Sequence, residues 1–162
     1  LAVSEGRAAL HAFCALGTTI KQAGSQEKFR QIDQTFVLDF GKLCLRLGAK
    51  TFSYVSALGA DHRSKVFYNR IKGETEAKLK ELGFPHLLLH RPSLLLGDRD
   101  EFRFGESLAM YAMLPLKWLR IGDSFRGIEA SKVARGMLIH AFEKRPASFK
   151  IIVSREMHQF TP

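Results

Sequence analysis

The 162-residue chain holds only two cysteines, Cys14 and Cys44. They sit in apolar segments, without a Cys-x-x-Cys pair and without zinc spacing, so we expect two buried reduced thiols in an intracellular protein. Long apolar runs are also missing. Nothing approaches the roughly 20 residues that span a bilayer. Leu87-Leu88-Leu89 and Leu94-Leu95-Leu96 are interrupted by His90, Arg91 and Pro92, and read as a buried strand and its exit loop. No block of five or six basic residues occurs, although the formal net charge is +9 and the pI about 9.8. Charge spread this way implies a generally basic surface or a site for a phosphorylated ligand, not a specific nucleic-acid partner. Internal repeats, low-complexity tracts and linkers are absent. The opening Leu1-Ala2-Val3-Ser4-Glu5-Gly6-Arg7 does not resemble a signal peptide and lacks a methionine. We therefore read the chain as having lost its true beginning, and expect a cytoplasmic protein without a membrane span.

What is present is enough for one domain spanning residues 1–162 with a proper core: 46% of the residues are hydrophobic. Leu10 to Ala15 is a short apolar run that breaks at Leu16-Gly17-Thr18-Thr19, as a buried parallel strand does at its exit. Ile20 to Gln26 is polar, with Gly24 as a turn marker. Phe29, Ile32, Phe36, Val37, Phe40, Leu43, Cys44 and Leu47 recur at helical spacing, and Gly48 follows where a helix ends. Lys50 to Val55 predicts a second strand, Tyr68 to Leu82 a second helix, and His86 to His90 a third strand halted by Arg91-Pro92. Leu94 to Glu106 reads as a loop and Ser107 to Leu114 as a short helix. Ile128 onward starts extended and turns helical to about Phe142, with Ser131 a candidate N-cap. Lys150 to Val153 predicts a last strand. Strands alternating with helices imply an α/β parallel sheet with right-handed crossovers, and ligands of such sheets sit beyond the carboxyl ends of the strands. Gly17-Thr18-Thr19, Ser56 and Arg91-Pro92-Ser93 all fall at those ends.

Phe67-Tyr68-Asn69-Arg70-Ile71-Lys72-Gly73-Glu74 carries the chemistry. Tyr68 and Lys72 are four apart, so a helix places both on one face. An ammonium beside a phenol favours the phenolate and draws the tyrosine pKa down. Such a phenol can give a proton to a carbonyl or take one from an alcohol. Ser56, at the end of the second strand, completes a Ser, Tyr, Lys order suited to carbonyl/alcohol redox chemistry. By itself Tyr-x-x-x-Lys is a weak signal, since it recurs by chance, and the bland alternative is an exposed helix face with a surface lysine. His86 and His90 share a strand face but lie about 13 Å apart at ~3.3 Å per residue. With His11, His62, His140 and His158 scattered, we expect no metal.

Leu16-Gly17-Thr18-Thr19, Ser56-Ala57-Leu58-Gly59-Ala60-Asp61, the Phe67–Glu74 segment and Arg91-Pro92-Ser93-Leu94-Leu95-Leu96-Gly97 occur in one order with short spacings. Together they resemble the atypical short-chain dehydrogenase/reductases, in particular their NAD(P)H-binding oxidoreductase-like members, from about residue 10 to residue 160. The resemblance implies a doubly wound Rossmann-type sheet and a nicotinamide dinucleotide, NADP(H) ahead of NAD(H). It matches Ser56, Tyr68 and Lys72 to the family's catalytic serine, tyrosine and lysine. Leu16, Gly17, Thr18 and Thr19 match the segment along the cofactor, with Tyr68 and Lys72 also in contact with it. Arg91, Pro92 and Ser93 match the strand exit flanking the nicotinamide, and Ile128 to Leu138 a closing helix.

One departure stands out. A complete member opens with a glycine-rich strand-turn-helix whose N–H groups hold the pyrophosphate, and no Gly-x-x-Gly-x-x-Gly is present here. The first strand of this chain corresponds to a later family strand. Three strands and two crossovers, on the order of 60 residues at roughly 30 per βαβ unit, are missing. The natural protein is expected to be longer, or the chain to be a fragment or degenerate copy.

The expected function is therefore an NAD(P)H-dependent oxidoreductase acting on an unknown carbonyl or alcohol. The alternative is a nucleotide-sensing or protein-binding regulator on the same scaffold. Arg91 has a second reading as a structural ion-pair partner, and Pro92 as a mere strand stop. Arg99, Arg103 and Glu106 read as a solvated loop and are left without a role. The helices Glu27–Leu47 and Tyr68–Leu82 could pair between subunits of a homo-oligomer, as in relatives of the fold.

Overall fold

The computed structural model describes residues 10–96, 127–144 and 147–160. Within them β1 (Leu10–Cys14), β2 (Ala49–Val55), β3 (His86–Arg91) and β6 (Phe149–Val153) form one sheet in the order β1-β2-β3-β6. Every neighbouring pair is parallel. The expected α/β parallel sheet is thus present. β2, β3 and β6 pair without a shift, Ser53 beside Leu88 and Leu88 beside Lys150, and β1 joins β2 with one irregularity between Leu10 and His11. Period-two alternation then sends Phe52, Tyr54, Leu87 and Leu89 to one face and Ser53, Leu88, His90 and Ile152 to the other.

Each face is covered. On the first, Phe52, Tyr54, Leu87 and Leu89 pack with Val37 and Cys44 from α3 (Val37–Arg46) and Leu79 from α4 (Phe67–Glu81). On the second, Leu88 and Ile152 pack with Val133 and Met137 from α5 (Ala130–Ala141) and Met157 from α6 (Ser154–Met157). Near-continuous apolar runs such as Leu87-Leu88-Leu89 are what a strand buried on both faces requires. Cys14 and Cys44 are buried free thiols, and burial pushes both above the ordinary cysteine range.

Several expectations need correction. The polar stretch after Thr19 is not merely a turn. Ile20–Ala23 is a short helix, α1, capped by Thr19, whose Oγ1 accepts from the Gln22 N–H at 3.1 Å. It stops at Gly24, whose φ of +79° is open to glycine at little cost. The long helix runs as α2 (Gln26–Arg30), a π-helical segment Gln31–Phe36, and α3. Leu95–Leu96 is not loop but a strand, β4, paired in parallel with β5 (Ile128–Glu129). Ser131 is not the N-cap of α5. Glu129 holds that position, and the Ser131 hydroxyl donates to the Glu129 carboxylate at 3.2 Å. The short helix read at Ser107 to Leu114, and the charged loop from Asp98, lie outside the described residues.

The second face carries a buried polar contact. His90 is fully buried on β3 and its Nε2 lies 3.0 Å from the Ser53 hydroxyl on β2. Burial, then His140 and Lys150, hold the imidazole down at about 4. An unfolded histidine titrates near ~6.5. Between these values the unfolded chain binds a proton that the folded chain refuses, so stability present above pH ~6.5 is lost as the pH falls toward 4. The loss amounts to roughly 3 kcal/mol. Urea unfolding from pH 7 to 4.5 should show a shallower acid slope for His90→Gln than for the parent protein. Identical slopes would remove His90 from the acid response. Glu143, held below the carboxylate range by His140, adds its own acid slope, so the difference between the two proteins is the quantity to read.

Candidate functional site

The carboxyl ends of the strands bring the chemistry together. Leu16–Thr19 leave β1, Ser56 leaves β2, Pro92 and Ser93 leave β3, and Ser154 leaves β6. Tyr68 and Lys72 enter from the first turns of α4.

Lys72 is the centre of this arrangement. Its side chain is only 5% exposed, and its Nζ lies 2.8 Å from Asp33 Oδ1. The ammonium also donates to the Tyr54 hydroxyl at 3.0 Å and stands 5.2 Å from the centroid of that ring. Burial works to discharge Lys72, and Tyr54, Tyr68 and Asp33 more than offset it, leaving its pKa raised. Tyr54 is itself buried, and burial, opposed by Lys72, pushes its phenol up to about 12. With both phenols un-ionised at neutral pH, Asp33 is the full negative charge in contact with the ammonium.

Asp33 reaches Lys72 because of a local backbone feature. It lies in the π-helical segment Gln31–Phe36, where the wider turn rotates one residue off the helical stripe; such insertions recur at functional sites. The Thr75 hydroxyl on α4 lies 3.1 Å from the Asp33 carbonyl and 2.8 Å from that of Ile71, closing the turn against the neighbouring helix. The other carboxylate oxygen, Oδ2, accepts from the Thr18 N–H at 2.8 Å. A Cβ on Gly17 would stand 3.2 Å from Asp33 Oδ1 and 3.3 Å from Lys72 Nζ. Glycine is what lets the β1 exit loop close over the pair.

Tyr68 is half-buried and packs against Phe29, ring centroids 5.6 Å apart. The expectation of a lowered phenol pKa is corrected. Burial raises it, with Asp33 adding to the rise and Lys72 opposing. Desolvation outweighs the lysine. Ser56 is buried, its N–H donates to the His90 carbonyl at 2.7 Å, and its Oγ meets no partner among the described residues. Buried hydroxyls are normally satisfied; Ser56 and, deeper in β2, Thr51 are unpaired among the described residues.

The remaining predicted residues are engaged differently. Thr19 caps α1, Leu16 and Gly17 are exposed, and Thr18 faces Asp33. Arg91 lies in a two-pronged ion pair with Glu76, Nε to Oε1 at 2.9 Å and Nη2 to Oε2 at 2.5 Å. This is the structural partner role weighed for it above. Pro92 is buried, and its carbonyl accepts from the Leu58 N–H at 3.0 Å. The Ser93 and Ser154 hydroxyls lie 2.8 Å apart, joining the β3 and β6 exits. The β2 exit is locked onto α4 at Gly73, where a Cβ would come within 2.2 Å of the His62 backbone nitrogen. Among the described residues, no group of three or more His, Cys, Asp or Glu is arranged to hold a metal.

Sequence reasoning missed Asp33, Tyr54 and Glu76. Asp33 looks like the solvent side of an amphipathic helix, because a π insertion leaves no mark in an apolar repeat. Tyr54 looks like one more apolar residue of β2.

No family model matches the chain. Curated relatives do. It is 44% identical to protein HTATIP2 of Rattus norvegicus over 108 residues, covering 65% of this chain and 44% of that protein. It is 32% identical to protein FMP52-1, mitochondrial, of Scheffersomyces stipitis over 138 residues, covering 82% of this chain and 60% of the relative. Over the residues it shares with them, the chain is similar to the atypical short-chain dehydrogenase/reductases, and these relatives support that group. It spans about half the length of these relatives. Among solved structures, the Bordetella bronchiseptica enzyme WbmG in complex with NAD superposes with a TM-score of 0.59 at 15% identity, over 90% of this chain and 52% of that one. Human SDR39U1, an epimerase family protein with NADPH, gives 0.50 at 14%, over 93% and 59%. These likenesses show the doubly wound Rossmann-type fold of the family. The expected cytoplasmic location is overturned, because the FMP52 relatives are named mitochondrial. No helix among the described residues is long and apolar enough to cross a membrane.

Proposed function

We propose that this chain carries the catalytic half of an NAD(P)H-dependent oxidoreductase site for a carbonyl or alcohol. The observation that supports this most is the buried ammonium of Lys72, held by Asp33 and Tyr54 where the β1 exit loop meets α4; the unpaired Ser56 hydroxyl ends the adjacent strand. A bound reduced nicotinamide would supply the hydride. The chain's own groups do the rest. The Ser56 hydroxyl holds the substrate oxygen. Tyr68, kept protonated by burial, delivers its proton to that oxygen as it gains charge, which suits the reductive direction. Lys72 then stabilises the phenolate left behind. An ammonium has three donors; Asp33 and Tyr54 take two, leaving one for a ribose hydroxyl.

The rim residues Leu16, Gly17, Thr18 and Thr19 are the proposed cofactor-side contacts, with Pro92 and Ser93 flanking the nicotinamide. Arg91 acts there through its backbone and its hold on Glu76. The basic balance of the chain supports NADP(H) ahead of NAD(H), and the likeness to FMP52 supports a mitochondrial location. Exposed Phe36, Phe40 and Leu43 on one helix stripe support pairing of that helix in a homo-oligomer. A second reading, a nucleotide-responsive regulator without efficient turnover, is favoured by the engagement of Lys72 with Asp33 and Tyr54. Titration with NADPH and NADH, followed by nucleotide fluorescence, tests binding. Tyr68→Phe should then keep NADPH affinity within about twofold while turnover of a carbonyl substrate falls by roughly 100-fold or more. Unchanged turnover in that variant sinks the assignment of Tyr68, and binding without turnover in the parent protein selects the regulator.

A further inference from the structure

We propose that Asp33 is a positioning residue that makes the β1 exit loop and the Lys72 ammonium one mechanical unit. The inference rests on the reading above in taking a nucleotide as the group that seats against that unit. Its basis is the division of labour within one carboxylate. Oδ1 lies 2.8 Å from Lys72 Nζ, and Oδ2 accepts from the Thr18 N–H at 2.8 Å. The Thr18 bond is charge-assisted, the strong class of hydrogen bond, and the Lys72 contact is a buried ion pair. The carboxylate has no solvent exposure, so neither bond can be exchanged for water. Gly17 lies between them, close enough that even a methyl group would press on both Asp33 and Lys72. The Asp33 carbonyl is held by Thr75, one turn beyond Ile71 on the helix that carries Lys72. The backbone and side chain of Asp33 thus tie β1, the π-helical segment and α4 at a single point.

A dinucleotide lying along Leu16–Thr19 with its ribose on Lys72 would touch both ends of this unit. Displacing either end displaces the other. The groups facing the ammonium are Asp33 from the π-helical segment, Tyr54 from β2, Tyr68 from α4 itself, and Cys14 from β1, whose thiol feels Lys72. Removing the carboxylate charge leaves only neutral groups about a buried cation, and its protonation becomes titratable at ordinary pH.

The test needs no nucleotide for its first readout. In 15N-labelled protein, the Lys72 ammonium should give a protected NMR signal that persists to high pH, and the Thr18 amide a strongly shifted one. In Asp33→Asn both signals should move together, the ammonium signal should titrate within the accessible range, and NADPH affinity should fall roughly tenfold or more. Gly17→Ala, which removes no charge, should shift the same two signals and weaken NADPH while the melting temperature stays close to that of the parent. It decides the matter if Asp33→Asn does not fold. An ammonium signal unchanged in either folded variant, or a Thr18 amide that moves while Lys72 does not, overturns the coupling. If the parent protein binds neither nucleotide, the proposed function fails, and the paired response of Thr18 and Lys72 still decides the role of Asp33.

Discussion

Gly73→Ala should cost about 3 kcal/mol or more of unfolding free energy, beyond the usual range for one added methyl. The reason is what the methyl would meet. A Cβ at this position lands 2.2 Å from the His62 backbone nitrogen, 2.3 Å from the Asp61 carbonyl carbon and 2.7 Å from the Asp61 Cα. These are backbone atoms, so no rotamer change can clear them. The Asp61 N–H also donates to the Asn69 carbonyl at 3.1 Å, which pins the loop to the same helix from its other side. Either α4 or the loop after Ser56 must retreat. Since Tyr68 and Lys72 ride on one and Ser56 leads into the other, the damage reaches the site as well as the core. Urea unfolding should show the lower midpoint, and any folded remainder should bind NADPH more weakly. Stability within 1 kcal/mol of the parent would mean that the helix and loop are not in this contact. Gly41, whose added Cβ would meet the side chains of Leu82, Leu79 and Phe52 at 3.1, 3.3 and 3.7 Å, provides the control. Gly41→Ala should be milder, because side chains can yield where backbone cannot.

The frame was legible in the chain because it obeys simple periodicities. Apolar runs ended by Gly-Thr, Ser-Ala and Arg-Pro marked strands entering a common rim, and the run from Phe29 to Leu47 marked a helix against the sheet. That frame put Thr18 and Ser56 at strand ends, and the four-residue spacing from Tyr68 singled out Lys72. What stayed hidden was whatever depends on a break in period or on a partner far along the chain. The π-helical segment turns Asp33 inward, and nothing in Gln31-Ile32-Asp33-Gln34 announces it. Arg91 and Glu76 are fifteen residues apart, and their pairing depends on how α4 crosses β3. The two-residue pairing of Leu95–Leu96 with Ile128–Glu129 joins segments too short to carry any periodic signal. The sign of the Tyr68 shift was lost for the same reason as Asp33. A helix wheel shows the lysine beside the phenol, but not the burial that raises the phenol pKa or the carboxylate that adds to the rise.

That carboxylate makes Lys72→Met a severe substitution, and its pH dependence is distinctive. Methionine fills the stem of the lysine but leaves Asp33 fully buried with a charge and without its cation, at a cost of about 3–5 kcal/mol near neutral pH. Burial without a counter-charge raises a carboxyl pKa above its unfolded value of about 3.9. The folded variant then binds a proton more readily than the unfolded one. Its stability is fully present below the unfolded pKa and is lost as the pH rises through the folded one. Relative to the parent, Lys72→Met should therefore recover as the pH is lowered from 7.5 to 5, opposite in sign to the loss expected from His90. The double variant Asp33→Asn, Lys72→Met should regain much of the deficit at pH 7.5, because two neutral groups replace a broken pair. Its coupling energy should far exceed the 0.3–0.5 kcal/mol scatter of independent sites, at about 2 kcal/mol or more. Urea unfolding of all four proteins at both pH values closes the cycle. A deficit in Lys72→Met that does not change with pH, or that persists undiminished in the double variant, would mean that lost packing rather than a stranded Asp33 charge sets the cost.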